Sequence, residues 1–343
     1  MFTSRVLLLG LASFVGTLMV TPLVQRVAIS SGLTAAPRED RLHTRPTPYL
    51  GGVAIMLIAC LSTPFVGKWE AEAAVIMAGA LVLGLVGLLD DMRNLRPAPR
   101  LLAEVGAAGL AAAAGAKVNL FGDPLDFFVT IVWLVVVTNA FNLVDNMDGA
   151  ATGVATVTAT ALMIAAGLAG QVLVGGLAAV VAGSCLAFLV FNWHPARIFL
   201  GDAGALPVGY LLAVIALKLR FPVPHSASVV AVVLLTAPAL FDTALVVISR
   251  VQRGVPIYVG GTDHTSHRLL RLGLSTRAVA SSIALVTALC VSLGLAVGRG
   301  VVAPAPVIVP AALLAIAMLI ALLRLPADAS TMIEPRDTTA KPH

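Results

Sequence analysis

Gln171-Val-Leu-Val-Gly-Gly-Leu-Ala-Ala-Val-Val-Ala-Gly-Ser-Cys-Leu-Ala-Phe-Leu-Val-Phe191 runs without one charged side chain and stops at Asn192-Trp-His194-Pro-Ala-Arg197. About 20 apolar residues in helical conformation span the hydrocarbon core of a bilayer, so this stretch reads as a membrane helix. The same reading extends outward in both directions. Apolar runs separated by charged or Pro/Gly-rich breaks give eleven candidate spans, near 6–29, 49–67, 73–89, 100–116, 126–143, 150–168, 171–191, 203–219, 227–249, 276–297 and 303–323. The expected fold class is therefore all-α: a polytopic integral membrane protein of about 10–11 transmembrane helices with polar loops at their ends. Residues 1–325 form one transmembrane domain in this reading, and 326–343 a disordered cytoplasmic tail.

Composition agrees. Of 343 residues 59% are apolar and 11% charged, against roughly 25% charged in soluble domains. Cys60, Cys185 and Cys290 lie far apart in separate apolar runs, which is neither a disulfide framework nor a zinc spacing. The net charge of +5 fits a cytoplasmic surplus of basic residues facing anionic lipids and substrates, with no nucleic acid partner. The opening Met1-Phe-Thr-Ser-Arg5 leads straight into a long apolar run and reads as a retained first helix, not a cleaved signal.

One set of span ends collects the cations. The loops near 38–45, 91–100, 142–149, 192–202 and 250–275, with Arg26 and the tail, hold 16 of the 22 Lys and Arg residues. That surplus predicts the cytoplasmic face of the cell membrane, with the N-terminus outside and the C-terminus inside.

The same loops hold the acids. Asp90-Asp91 closes the third span, where the macrodipole is unfavourable to negative charge. Asn142, Asp145 and Asp148 succeed one another at spacings of three, neighbours on one face if that segment is helical. Asp202 stands between Gly201 and Gly204, glycines that let backbone approach a ligand. Carboxylates gathered at one membrane face repel one another and require a cation. Carboxylate and amide oxygens without thiolates favour Mg²⁺ (Mn²⁺ possible), held partly by substrate phosphates. Asp90, Asp145 and Asp202 also each have a simpler reading, as a solvated helix end or a helix cap.

In the longest of these loops Gly260-Gly-Thr-Asp263-His264-Thr-Ser-His267-Arg268 sets two histidines beside a cation, suited to a diphosphate. Early in the chain Arg41 and His43 precede Tyr49-Leu-Gly51-Gly52 at the entrance of the second span. Glu104 reads as a partner for Arg100, Asp242 as a mid-span group of functional or structural use, and His194 and His225 as ordinary.

From about Asp40 to Leu274 these motifs, in order and spacing, resemble the polyprenyl-phosphate N-acetylhexosamine-1-phosphate transferases. The resemblance rests on Gly-x-x-Asp90-Asp91, Asn142 to Gly149, Asn192 to Gly204 and His264 to His267. Departures are Asn146 and Ala205, where the family usually has Gly and Ser, and a sparser histidine run. The resemblance implies transfer of HexNAc-1-phosphate from a UDP-sugar to a polyprenyl phosphate lipid, releasing UMP, with a homodimer possible. It puts Mg²⁺ on Asp202, makes Asp90 and Asp91 catalytic, and assigns nucleotide or sugar to Asn142, Asp145 and Asp148. Phosphate contacts fall to Arg41, His43, His264, His267 and Arg268. Lacking a His-His-His run, the loop favours UDP-N-acetylglucosamine over the phospho-N-acetylmuramoyl-pentapeptide branch. A reading from another class, a cation-coupled transporter, expects acids near the bilayer midplane rather than at span ends.

Overall fold

The computed structural model describes residues 2–35, 47–66 and 71–327. Arg41, His43 and the tail beyond 327 lie outside them. Twelve α-helices follow in order among the described residues: α1 (Phe2–Ser30), α2 (Gly51–Ser62), α3 (Ala71–Arg93), α4 (Pro97–Ala113), α5 (Leu125–Val144), α6 (Ala150–Leu168), α7 (Val172–Asn192), α8 (Asp202–Lys218), α9 (His225–Gln252), α10 (Thr265–Arg271), α11 (Thr276–Gly298) and α12 (Ala305–Leu323). Two short strands, β1 (Thr34–Ala35) and β2 (Thr47–Pro48), pair antiparallel between α1 and α2.

Eight of these helices are long and apolar enough to cross a membrane. α2, α4 and α8, with 12, 17 and 17 residues, are shorter, and they coincide with the three remaining apolar runs of the sequence. The chain is thus an all-α, multi-pass membrane protein. The short α10, of 7 residues, lies in a segment the sequence reading left as loop.

α8 is the centre. It packs against α3, α5, α2, α6, α7 and α9, and Ala203 through Ala216 are buried without a break. A helix buried on every side must be apolar all round, and its neighbours come close only where side chains are small. At the α2–α8 crossing a Cβ on Gly52 would stand 2.0 Å from the Gly204 nitrogen; glycine is the one residue that fits. α7 lies between α1 and α6, and α9 pairs with α11, while α12 touches chiefly α9 and leaves most of its surface to lipid.

The junction that positions the site is built from backbone. The first amides of α2, Gly51 and Gly52, donate to the Phe199 and Leu200 carbonyls at 3.0 and 2.9 Å, and the Phe199 amide donates to Pro48 at 2.8 Å. Orphan donors of one helix end thereby fix the strand of chain entering α8.

Candidate active site

The closing ends of α3, α5 and α7 meet the opening ends of α4, α6 and α8. Asp91, near the end of α3, accepts the amides of Asp202 at 2.9 Å and Ala203 at 3.0 Å, one on each carboxylate oxygen. An acid that looked misplaced at a helix C-terminus is therefore the cap on the positive N-terminus of α8. Gly201 permits this: its φ is +69°, and a Cβ there would lie 2.6 Å from Asp91 Oδ2.

Asp202 is held by two further elements. Asn142 on α5 donates to its Oδ1 at 2.7 Å. Arg100 on α4 stands 3.4 Å from its Oδ2 and 3.2 Å from Asp90 Oδ2, bridging the two acids. Arg100 is itself steered by Glu104 one turn on, 3.6 Å from its Nε, and Asn139 donates to the other Glu104 oxygen. Asp90 also accepts the Leu95 amide at 2.6 Å.

Asp145, Asn146 and Asp148 lie in a turn between α5 and α6, and Gly149 in left-handed conformation is the N-cap of α6. The helical stripe and the cap entertained for this segment are both absent. Burial, then the charges of Asp202, Asp91 and Asp148, push the Asp145 carboxyl well above the usual carboxylate range, the Gly201 amide opposing. Asp148 is buried, its Oδ2 engaged by His194 Nδ1 at 2.8 Å and by the Ala196 amide at 2.9 Å. It stabilises the loop entering α8, and His194, read as ordinary, is its partner. Arg277 closes the same loop by donating to the His194 carbonyl at 3.0 Å.

The histidine loop joins this centre through Ser266, whose hydroxyl donates to the Asn146 side chain. His264 is oriented by Asp242 of α9, with Nδ1 2.9 Å from Asp242 Oδ2, while the Thr265 amide donates to Oδ1 at 2.7 Å. Asp242 is thus a positioning group for the loop. The His264 and His267 rings lie 5.7 Å apart. Burial, then His264 and Arg271, lower the His267 pKa to about 4.

Arg268 is placed differently from the sequence expectation. Its side chain is 1% exposed. It donates to the carbonyls of Asp263, Leu322 and Leu325 at 3.0, 2.6 and 2.6 Å and to Ser249 Oγ at 2.8 Å. Its guanidinium ties α10 to the end of α12 and the residues just past it, sharing the Leu322 carbonyl with the Leu325 amide. Four of its five N–H donors are thus taken by the fold.

Among the described residues no three His, Cys, Asp or Glu side chains converge as a ready metal cage. The donors present, one partly exposed carboxylate on Asp202 with the crowded Asp145 beside it, fit a hard cation that brings its own waters and phosphate oxygens. Three partners were not visible in the sequence: Arg100 bridging acids on two other helices, Asn139 on Glu104, and His194 on Asp148. The Arg100-x-x-x-Glu104 spacing was the one local signal, since residues four apart on a helix face each other.

The matching family model is Glycosyl transferase family 4, over residues 73–220, the stretch that carries Asp90, Asp91, Asp145, Asp148 and Asp202. A Bacillus subtilis protein named as a probable undecaprenyl-phosphate N-acetylglucosaminyl 1-phosphate transferase is 31% identical, over 82% of each chain. A Mycobacterium tuberculosis decaprenyl-phosphate N-acetylglucosaminephosphotransferase is 30% identical over 81% of this chain and 79% of its own. A phospho-N-acetylmuramoyl-pentapeptide-transferase of Desulforamulus reducens is 32% identical, but over 57% of this chain. With its helical membrane frame, its end-on acidic centre and this extent of likeness, the chain belongs to glycosyl transferase family 4 and is a membrane sugar-phosphate transferase.

Proposed function

We propose that the protein transfers N-acetylglucosamine-1-phosphate from UDP-N-acetylglucosamine to a polyprenyl phosphate, giving polyprenyl-diphosphate-sugar and UMP, with Mg²⁺, as a first membrane step of envelope glycan assembly. The observation that carries this reading is the gathering of Asp90, Asp91, Asp145 and Asp202 where helices α3, α5 and α8 meet. Such mutual repulsion is tolerable when a cation and a diphosphate complete the centre. Relatives named as N-acetylglucosamine-1-phosphate transferases match over four-fifths of this chain, which favours that donor over the pentapeptide-bearing one. The arginine surplus at the same helix ends favours a cytoplasmic centre, the side where nucleotide sugars are made.

Phosphoryl transfer asks mainly for positioning and charge neutralisation, and the chain supplies both. A divalent cation at Asp202 would supply charge to the donor's diphosphate and to the departing UMP oxygen. Asn142 and Arg100 hold the Asp202 carboxylate, and Asp91 holds its backbone. Both Asp91 oxygens hold backbone amides, whereas one Asp90 oxygen is held by a side chain, Arg100, that can turn aside; Asp90 is therefore the one of the pair assigned to take a proton from the lipid phosphate as its oxygen attacks the β-phosphorus. His264 and His267 face the phosphates as hydrogen-bonding rings, and Asn142 and Asp145 the nucleotide or sugar.

The test is purified protein with undecaprenyl phosphate and a panel of UDP-sugars, following UMP with and without Mg²⁺. UMP release with UDP-N-acetylglucosamine that depends on both lipid and cation is expected. Absence of UMP with every donor would overturn the proposal.

A further inference from the structure

The chain between Arg253 and Asp263 carries no charge: Gly254-Val-Pro-Ile-Tyr-Val-Gly-Gly-Thr262 joins α9 to the histidine loop. Its apolar side chains are turned outward. Tyr258 is 71% exposed and Ile257 55%, beside Val251 at 65% on the last turn of α9. We propose that this tip seats in the headgroup region of the bilayer, on the same face as the acidic centre, and anchors the histidine loop to an anionic phospholipid surface. Such a contact holds whether or not the chain is a transferase.

Two observations point to lipid as the occupant. The first is position. α12 leaves most of its surface to lipid, and its 19 residues make about 28 Å, close to the thickness of the hydrocarbon core. Its end therefore marks the edge of that core. The loop is stitched to this end: Arg268 donates to the Leu322 and Leu325 carbonyls at 2.6 Å each, and the Thr262 hydroxyl donates to the Ala327 carbonyl at 3.3 Å. The tip thus stands at headgroup depth beside a lipid-facing helix, where tyrosine is enriched. The second is charge. Within 249–271 and 322–327 five arginines (Arg250, Arg253, Arg268, Arg271 and Arg324) stand against one acid, Asp263, a surplus suited to anionic headgroups.

The tip is held outward by a buried clasp. Arg250 donates from Nη1 to the Ile257 carbonyl at 2.6 Å and from Nε and Nη2 to Asp263 at 3.0 and 3.1 Å. The Val255 amide returns to the Arg250 carbonyl at 2.9 Å. Both arms of the loop are fixed, and the apolar side chains between them are left to a surface outside the fold. Because His264 follows Asp263 directly, the depth of the tip sets the depth of the histidines.

Bimane on Ile257→Cys reports the contact, in the full chain carrying Cys60→Ala, Cys185→Ala and Cys290→Ala. The protein is placed in nanodiscs of phosphatidylcholine and phosphatidylglycerol whose acyl chains are either plain or brominated near the carbonyl. Bromine should remove about half of the emission or more, since a tip at the interface touches those carbons. The same label on Tyr258→Cys should behave alike. Tyr258→Asp beside the label at 257 should restore most of the emission, with Tm in detergent unchanged. Equal emission in plain and brominated discs at both positions overturns the proposal. So does emission that responds only to a second copy in the same disc, which would assign the surface to an interface between copies. Quenching undiminished by Tyr258→Asp overturns it as well, because the dye rather than the tip would then be seeking the lipid. In the wild-type chain, a phosphatidylglycerol with a photoreactive group at the top of its acyl chain should label peptides within 254–262. Labelling of α12 without labelling of that segment overturns the proposal independently of any substitution.

Discussion

Asp91 on α3 carries the first two amides of α8, those of Asp202 and Ala203, on its two carboxylate oxygens. The acid most exposed to functional suspicion in the sequence thus sets where its neighbour Asp202 stands. Asp91→Asn puts an amide NH₂ against one of those donors. The turn should shift by a fraction of an ångström to an ångström, and transfer should fall about 100-fold, measured as radiolabelled lipid product in membranes of matched protein content. Near-normal turnover would show that Asp91 does not position the centre.

Asp202→Asn should abolish transfer, to below about one part in a thousand, while leaving insertion and expression intact, because the amide oxygen still accepts from Asn142 and Arg100 keeps Asp90 as its partner. Wild-type rates at ordinary Mg²⁺ would remove the cation from this residue.

The half-buried Asp145 carboxyl sets a pH dependence. Its folded-state value is raised well above the usual range, so the fold prefers the protonated form. Stability from this group is fully present in acid, below the unfolded value, and is lost as pH rises through the folded one. In detergent without divalent cations Tm should therefore fall as pH rises above the usual carboxylate range, and Asp145→Asn should flatten that slope. Added Mg²⁺ should raise Tm at neutral pH, as a ligand of the native state does. A wild-type Tm independent of both pH and Mg²⁺ would contradict this account.

Arg268→Ala should cost stability before chemistry. It removes four hydrogen bonds, to the Asp263, Leu322 and Leu325 carbonyls and to Ser249, a loss of about 3 kcal/mol. Thermal unfolding should show it, with donor KM little changed in whatever protein folds. A large donor KM change at unaltered Tm would restore a phosphate role.

Asp242→Asn should cost about tenfold to 100-fold in turnover by releasing His264 from its fixed orientation, with the double variant lacking His264 no worse than the single. Additive losses would separate the two residues.

The eleven apolar runs were legible because burial in lipid demands long, charge-free helices whatever their partners. α10 was not, being about two turns with no apolar run. The acids were found, since like charges beside one another at span ends have no cheap explanation. Their division of labour was hidden. Arg268 finds its carbonyls on α12 and Asp148 its imidazole beyond α7, partners that no local spacing encodes. The same residue type beside a histidine loop looks alike whether it holds phosphate or holds the fold.

The Gly51 and Gly52 amides pair with the carbonyls of Phe199 and Leu200, and this bears on assembly. The ribosome delivers α2 long before the segment that satisfies it, so the nascent protein carries two open donors at the membrane surface through most of its synthesis. Catalytic competence can therefore begin only after α8 inserts beneath α2, and a fragment ending ahead of Phe199 is an unfinished frame with no partial activity to lose.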